Sequence, residues 1–171
     1  MKYLIVIDMQ KDFVTGSLGS EAAQAVVERI EKKIADGGYD GIFFTFDTHF
    51  GDYAGTLEGK KLPVVHCVKG TEGWTTALSF DKFDRNNMVE KYTFGYTGWD
   101  TKLPATGKDD CIELVGVCTD ICVVSNALIL RAQFPDTPIT VDASCCAGTS
   151  EEAHRAALTV MKSCHIDVVN E

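Results

Sequence analysis

Cys122 is the side chain best placed in this sequence to act as a nucleophile. It closes Gly116-Val117-Cys118-Thr119-Asp120-Ile121-Cys122, a short polar turn between an apolar run from Cys111 to Val117 and another from Cys122 to about Gln133. The first run predicts a buried strand and the second a helix, with Thr119 or Asp120 as N-cap. A thiol in the first turn of a helix lies beside the positive end of the dipole and beside free backbone N–H groups, which favours thiolate. Taken alone, a cysteine is more often a small buried hydrophobe than a nucleophile, so the partners of Cys122 decide.

Two residues elsewhere supply what a thiol nucleophile needs. Asp8 follows the apolar run Tyr3 to Ile7, and Lys91 ends the short run Met88 to Lys91. A carboxylate can take the thiol proton and return it to a leaving amine, and an ammonium can steady the negative charges. A second group is Asp47-x-His49 with His66 later in the chain. Residues two apart on a strand point the same way, so Asp47 and His49 can bind one ion from one side. Val64-Val65 can bring His66 to the same edge as an added strand. Two imidazoles and a carboxylate leave positions open for water or substrate, as catalytic Zn, Fe or Mn sites require.

The elements that must position these groups alternate. Strands are predicted at Lys2 to Ile7, Gly41 to Phe46, Met88 to Lys91, Cys111 to Val117, Ile139 to Val141 and Ile166 to Val169. Helices are predicted from Glu21 to Asp36, from Cys122 to Gln133 and, capped by Ser150, from Glu151 to Ser163. Phe50 to Asn87 is irregular, with a short helix expected near Thr75 to Phe80. Thr101 to Asp110 reads as surface linker or a brief helix. Apolar strands alternating with helices mean an α/β protein whose parallel sheet is covered on both faces. Ligands then bind beyond the carboxyl ends of the strands, where strand order reverses. Asp8, Asp47 with His49, Lys91, and Cys118 to Cys122 all stand at such ends.

Composition narrows the function classes. The chain has 171 residues, 45% hydrophobic and 24% charged, with a formal charge of −9 and no basic stripe, which argues against nucleic acid as a partner. No apolar run reaches the roughly 18 residues of a membrane span. Met1 to Asp8 reads as a first strand and not a signal peptide. Seven cysteines form no paired framework, which suits a reduced, cytoplasmic protein. Cys145-Cys146 read as packing residues. Trp74 and Trp99 fall in loops, where they can line a pocket, cover the core or join an interface. No G-x-G-x-x-G or G-x-x-x-x-G-K-[ST] loop follows a strand, so dinucleotide and nucleoside triphosphate readings lose their support.

Several ordered motifs carry a family resemblance: Ile7-Asp8-Met9-Gln10-Lys11-Asp12-Phe13, Phe46-Asp47-Thr48-His49, His66-Cys67-Val68-Lys69-Gly70-Thr71, Lys91, Gly116 to Val123, Asp142-Ala143 and Glu151 to Leu158. Together they resemble the isochorismatase-like cysteine hydrolases, in their nicotinamidase/pyrazinamidase branch. The resemblance implies one hydrolase domain over residues 1–171, a three-layer α/β/α, Rossmann-like fold with a central, mostly parallel sheet. It also implies Asp8, Lys91 and Cys122 as catalytic triad, and the Cys118 and Cys122 amides as oxyanion donors, with a cis peptide just before Cys118. Asp47, His49 and His66 would bind one divalent transition metal (Zn, with Fe or Mn as alternatives), and Phe13 would pack on the substrate ring. The implied reaction is hydrolysis of nicotinamide to nicotinate and ammonia through a thioester, by a homo-oligomer. The alternatives are a related hydrolase of another small amide and a non-catalytic metal- or redox-responsive binding protein in which Cys118 and Cys122 cycle between thiol and disulfide. Tyr92 to Thr97 departs from the usual segment of the nicotinamidase branch.

Overall fold

The computed structural model describes residues 1–79, 84–104 and 106–171. Six strands form one sheet: β1 (Lys2–Ile7), β2 (Gly41–Asp47), β3 (Met88–Lys91), β4 (Cys111–Val117), β5 (Ile139–Ala147) and β6 (Asp167–Val169). Their order is β3-β2-β1-β4-β5-β6 and every pairing is parallel. The helices are α1 (Lys11–Val14), α2 (Glu21–Asp36), α3 (Leu57–Lys61), α4 (Trp99–Lys102), α5 (Val124–Gln133) and α6 (Glu151–Ser163). Strand order therefore reverses between β1 and β4, which places a ligand crevice beyond their carboxyl ends.

Alternation along β1 divides the core into two layers. Leu4 and Val6 pack with Val26 and Ile30 of α2, whereas Tyr3, Ile5 and Ile7 pack with Ala127 and Leu130 of α5 and Leu158 and Met161 of α6. Ser20 caps α2 by accepting from the Ala23 amide, and Ser150 caps α6 through the Ala153 amide. At Gly116 β4 approaches β1 so closely that a Cβ would lie 2.1 Å from the Ile7 carbonyl oxygen, and φ is +120°. Only glycine fits there, and the approach holds the end of β1 against the turn that carries Cys122.

The structure corrects four local expectations. Cys118–Cys122 is not a simple helix start: a π-helical turn spans Thr119–Val123 and α5 begins at Val124. Neither Thr119 nor Asp120 caps it. The Thr119 hydroxyl pairs with His154 Nδ1 at 2.8 Å, and Asp120 accepts from the Thr149 amide and hydroxyl, so tertiary partners claimed both side chains. No helix covers Thr75–Ser79, and Phe80 lies outside the described residues. Finally, β5 runs to Ala147, well past the Val141 expected for it, because Ala143, Cys145, Cys146 and Ala147 are small and buried enough to continue in the sheet.

A polar cluster sits between α2 and the sheet. Lys33 Nζ lies 2.6 Å from Glu113 Oε1 and 2.7 Å from Asp142 Oδ2, while Tyr39 donates to Glu113 Oε2. Lys33→Met leaves the buried Asp142 carboxylate without its cation and Glu113 with only Lys2, at 3.5 Å, and is expected to destabilise the fold by about 3 kcal/mol in urea titrations. Burial pushes the Asp142 carboxyl up, but hydrogen bonds from Lys33 and Ser144 hold it below its usual value. A depressed carboxyl contributes stability that is fully present above its unfolded pKa, about 3.9, and is lost as pH falls through the folded value. That acid loss should be smaller in Lys33→Met.

Candidate active site

At the carboxyl end of β1 the chain turns through Asp8, a fully buried residue held at φ +48°, and this strained backbone aims its carboxylate across the sheet edge. Thr45 of β2 fixes it, accepting from the Asp8 amide at 3.1 Å and donating to Asp8 Oδ1 at 2.6 Å. Lys91, 1% exposed at the end of β3, lies with Nζ 2.7 Å from Asp8 Oδ2, 3.3 Å from Asp47 Oδ1 and 3.5 Å from Cys122 Sγ. The Val117–Cys118 peptide is cis. Asp8, Lys91 and Cys122, distant in sequence, thus meet in one buried group.

The electrostatics of this group differ from the sequence expectation. Burial and the neighbouring Asp8 carboxylate push the Cys122 thiol well up, against the opposing pull of Lys91. Burial likewise raises the Asp8 carboxyl, again opposed by Lys91. Cys118 is likewise pushed up, to about 12, chiefly by burial.

Beside this group stands a second. Asp47 Oδ2 is 2.9 Å from His49 Nε2 and 3.5 Å from His66 Nε2, so Asp47 gives one oxygen to Lys91 and the other to the imidazoles. His66 is carried by the segment after Val64 and not by a full strand; the pairing is a single parallel bridge between His49 and Val68. A fourth member, unseen in the sequence, is Glu58 of α3. Its Oε1 lies 3.4 Å from His49 Nε2 and 3.6 Å from His66 Nε2, and the four donor atoms fall within 4.8 Å of one another. Burial lowers His49, yet hydrogen bonds to Asp47 and Glu58 outweigh it and hold the imidazole pushed up to about 9. Burial acts to raise Asp47, but His49, His66 and Lys91 keep it well below the carboxylate range.

The donor set fits a divalent transition metal. Two imidazole nitrogens and two carboxylate oxygens converge, and His66 Nδ1 donates to the Val64 carbonyl at 2.7 Å, leaving the Nε2 lone pair toward the cluster. Glu58→Gln is expected to weaken zinc binding at least about tenfold, read by competition with a chromogenic chelator.

A cavity of about 480 Å³ opens over both groups. Cys122, Asp47, Glu58 and His66 line its chemical end, and Phe13, Leu18, Leu62, Phe94 and Ile121 its apolar walls. Phe13 is buried, with its ring 5.4 Å from that of His66. Among the described residues no lysine or arginine lines the cavity. Gln10 joins the two strand ends, donating to the Asp47 carbonyl and accepting from the Asp47 amide. The tryptophans also find their places: Trp99 is core, while Trp74 packs on Phe46 and donates to Thr48.

The chain belongs to the isochorismatase family, whose domain, described as the isochorismatase domain, matches residues 2–170. The six-stranded parallel sheet between helices is the fold of that family. Several of its solved neighbours are nicotinamidases or pyrazinamidases. It is similar to the pyrazinamidase/nicotinamidase from Streptococcus mutans UA159, at 27% identity over 99% of this chain and 100% of that one, with a TM-score of 0.80. Nicotinamidase from Bacillus subtilis shares 25% identity over 99% of each chain, with a TM-score of 0.75. Pyrazinamidase of Pyrococcus horikoshii, solved in complex with zinc, shares 24% over 99% of each chain and a TM-score of 0.79, a likeness of fold. No curated protein sequence matches the chain.

Proposed function

We propose that residues 1–171 act as one cysteine amidohydrolase domain that converts nicotinamide and water to nicotinate and ammonia. The observation that carries this reading is the buried contact of Lys91 Nζ with both Asp8 Oδ2 and Cys122 Sγ, at 2.7 and 3.5 Å, at the floor of the cavity. Asp8 takes the Cys122 proton as the sulfur attacks the carboxamide carbon, and Lys91 balances the anion that results. The Cys118 and Cys122 amides receive the negative oxygen. Asp8 returns its proton to the departing ammonia, leaving a thioester on Cys122. Water, deprotonated by Asp8, then releases the acid and restores the thiol.

Asp47, His49, Glu58 and His66 would hold the metal, zinc as first choice. When bound, that ion supplies Lewis acidity and a coordination position for a ring nitrogen. Phe13 supplies an aromatic face for the ring. Among the described residues the cavity has no cationic lining, which favours an uncharged amide over the anionic vinyl ether for which the family is named. A reduced cytoplasmic setting and a homo-oligomer complete the reading; the first suits a free thiol and the second the prevalence of symmetric assemblies.

The test is ammonia release from nicotinamide and from a carboxylate-bearing amide, by protein loaded with zinc, iron or manganese and by chelated protein. Nicotinamide should be hydrolysed by a metal-loaded form, with loss on chelation and recovery on reloading. Hydrolysis of neither amide by any form would remove the amidase reading; preference for the charged amide would remove the substrate.

A further inference from the structure

Asn126 has no exposed surface, and every hydrogen-bonding position of its carboxamide is used. Its Nδ2 donates to the Cys122 carbonyl at 2.8 Å and to the Phe94 carbonyl at 3.2 Å. Its Oδ1 accepts from the Tyr96 amide and from Trp99 Nε1, both at 3.0 Å. A side-chain amide has two donor hydrogens and two acceptor lone pairs, so nothing is left over. In a core that could accept an apolar residue of similar size, a fully satisfied amide instead specifies one arrangement of the segments it touches.

Those segments are two parts of the site. One is the turn that carries Cys122. The other is the strap from Thr93 to Gly98 between β3 and α4, which brings Phe94 into the cavity wall. The strap has further tethers: Lys91 Nζ donates to the Thr93 carbonyl at 3.2 Å, and Gln133 Nε2 to the Thr97 carbonyl at 2.6 Å. It also lies tight on α5, since a Cβ on Gly95 would come within 2.4 Å of Ile129 Cδ1. Asn126 is the residue that seats the Tyr92 to Thr97 stretch, through the Phe94 carbonyl and the Tyr96 amide.

We infer that Asn126 is a positioning residue whose one carboxamide sets the Cys122 turn and the Phe94 wall together, so that neither can shift without the other. This rests on the reading of Cys122 as the nucleophile. Asn126 touches no reacting atom; it acts through the backbone of Cys122 and of the strap.

The experiment is a double-mutant cycle on metal-loaded protein with Asn126→Ala, Phe94→Ala and the pair. Two quantities are read: kcat and KM for nicotinamide, and the rate at which iodoacetamide alkylates Cys122. Because small misplacements of reacting groups are costly, Asn126→Ala should lower kcat/KM at least about tenfold, with KM raised and the alkylation rate changed at least about threefold. The pair should be no worse than Asn126→Ala within about twofold, because the wall is already displaced. Additive losses, or an alkylation rate unchanged in Asn126→Ala, overturn the inference.

If Asn126→Ala does not fold, Asn126→Asp keeps the shape and the two acceptor contacts while removing the N–H donors to the Cys122 and Phe94 carbonyls. It should show the same raised KM and altered alkylation; parent-like values for both overturn the proposal. Alkylation needs no substrate, so the two readings separate. Protein that hydrolyses no nicotinamide but shows the Asn126-dependent alkylation change loses the amidase reading and keeps the positioning role.

Discussion

Lys91→Met should lower nicotinamide turnover about a thousandfold, the scale set by removing a preorganised charge from the centre of a dry site. Lys91 is the cation that contacts all three of Asp8, Asp47 and Cys122 among the contacts described, and it is buried with them. Without it two carboxylates remain in a low-dielectric setting, so the fold should also lose about 3–5 kcal/mol. The sign on the thiol follows from the same geometry. Lys91 lowers both the Cys122 thiol and the Asp8 carboxyl, so its removal raises both. The pH profile of Cys122 alkylation should therefore move upward in Lys91→Met, together with the loss of turnover.

Asp8→Asn should cut turnover by about 10²–10⁴-fold, as loss of a general base does, while moving alkylation the opposite way. The Asp8 carboxylate is one of the groups that push the thiol up. Its replacement by an uncharged amide leaves Lys91 next to the sulfur, so thiolate forms at lower pH. A stopped-flow alkylation series against pH, run beside an ammonia assay, reads both effects. A more reactive thiol in a nearly inactive enzyme separates proton transfer from nucleophilicity. Asp8→Asn with parent-like turnover would mean that the proton goes elsewhere.

How much of this was legible in the sequence depends on what held each residue in place. Groups at strand ends were legible, because a parallel sheet delivers every carboxyl end to one edge; Asp8, Asp47, His49, Lys91 and Cys122 all arrive there. So were the capped amphipathic helices, Glu21–Asp36 and Glu151–Ser163, whose Ser20 and Ser150 are local signals. Glu58 was not legible. It lies in an irregular stretch where no period ties a side chain to a direction, and only the fold of that stretch turns it toward the histidines. Asn126 was hidden for the opposite reason. It lies inside a regular apolar helix, and its meaning comes from the Phe94 to Trp99 segment, which is remote in sequence. At Cys122 the helix-start argument weighs dipole and amides, whereas near-complete burial and an adjacent carboxylate, both set by remote parts of the chain, push the thiol the other way.

The central claim is that Cys122 is the nucleophile of an amidase, and the direct measurement is ammonia release from nicotinamide by metal-loaded protein and by Cys122→Ala, compared at equal folded concentration. The substitution removes one sulfur from a thiol that is 4% exposed and leaves the Asp8, Lys91 and Asp47 contacts in place. The account predicts steady release by the parent and background release by Cys122→Ala. Equal release by the two proteins would contradict it.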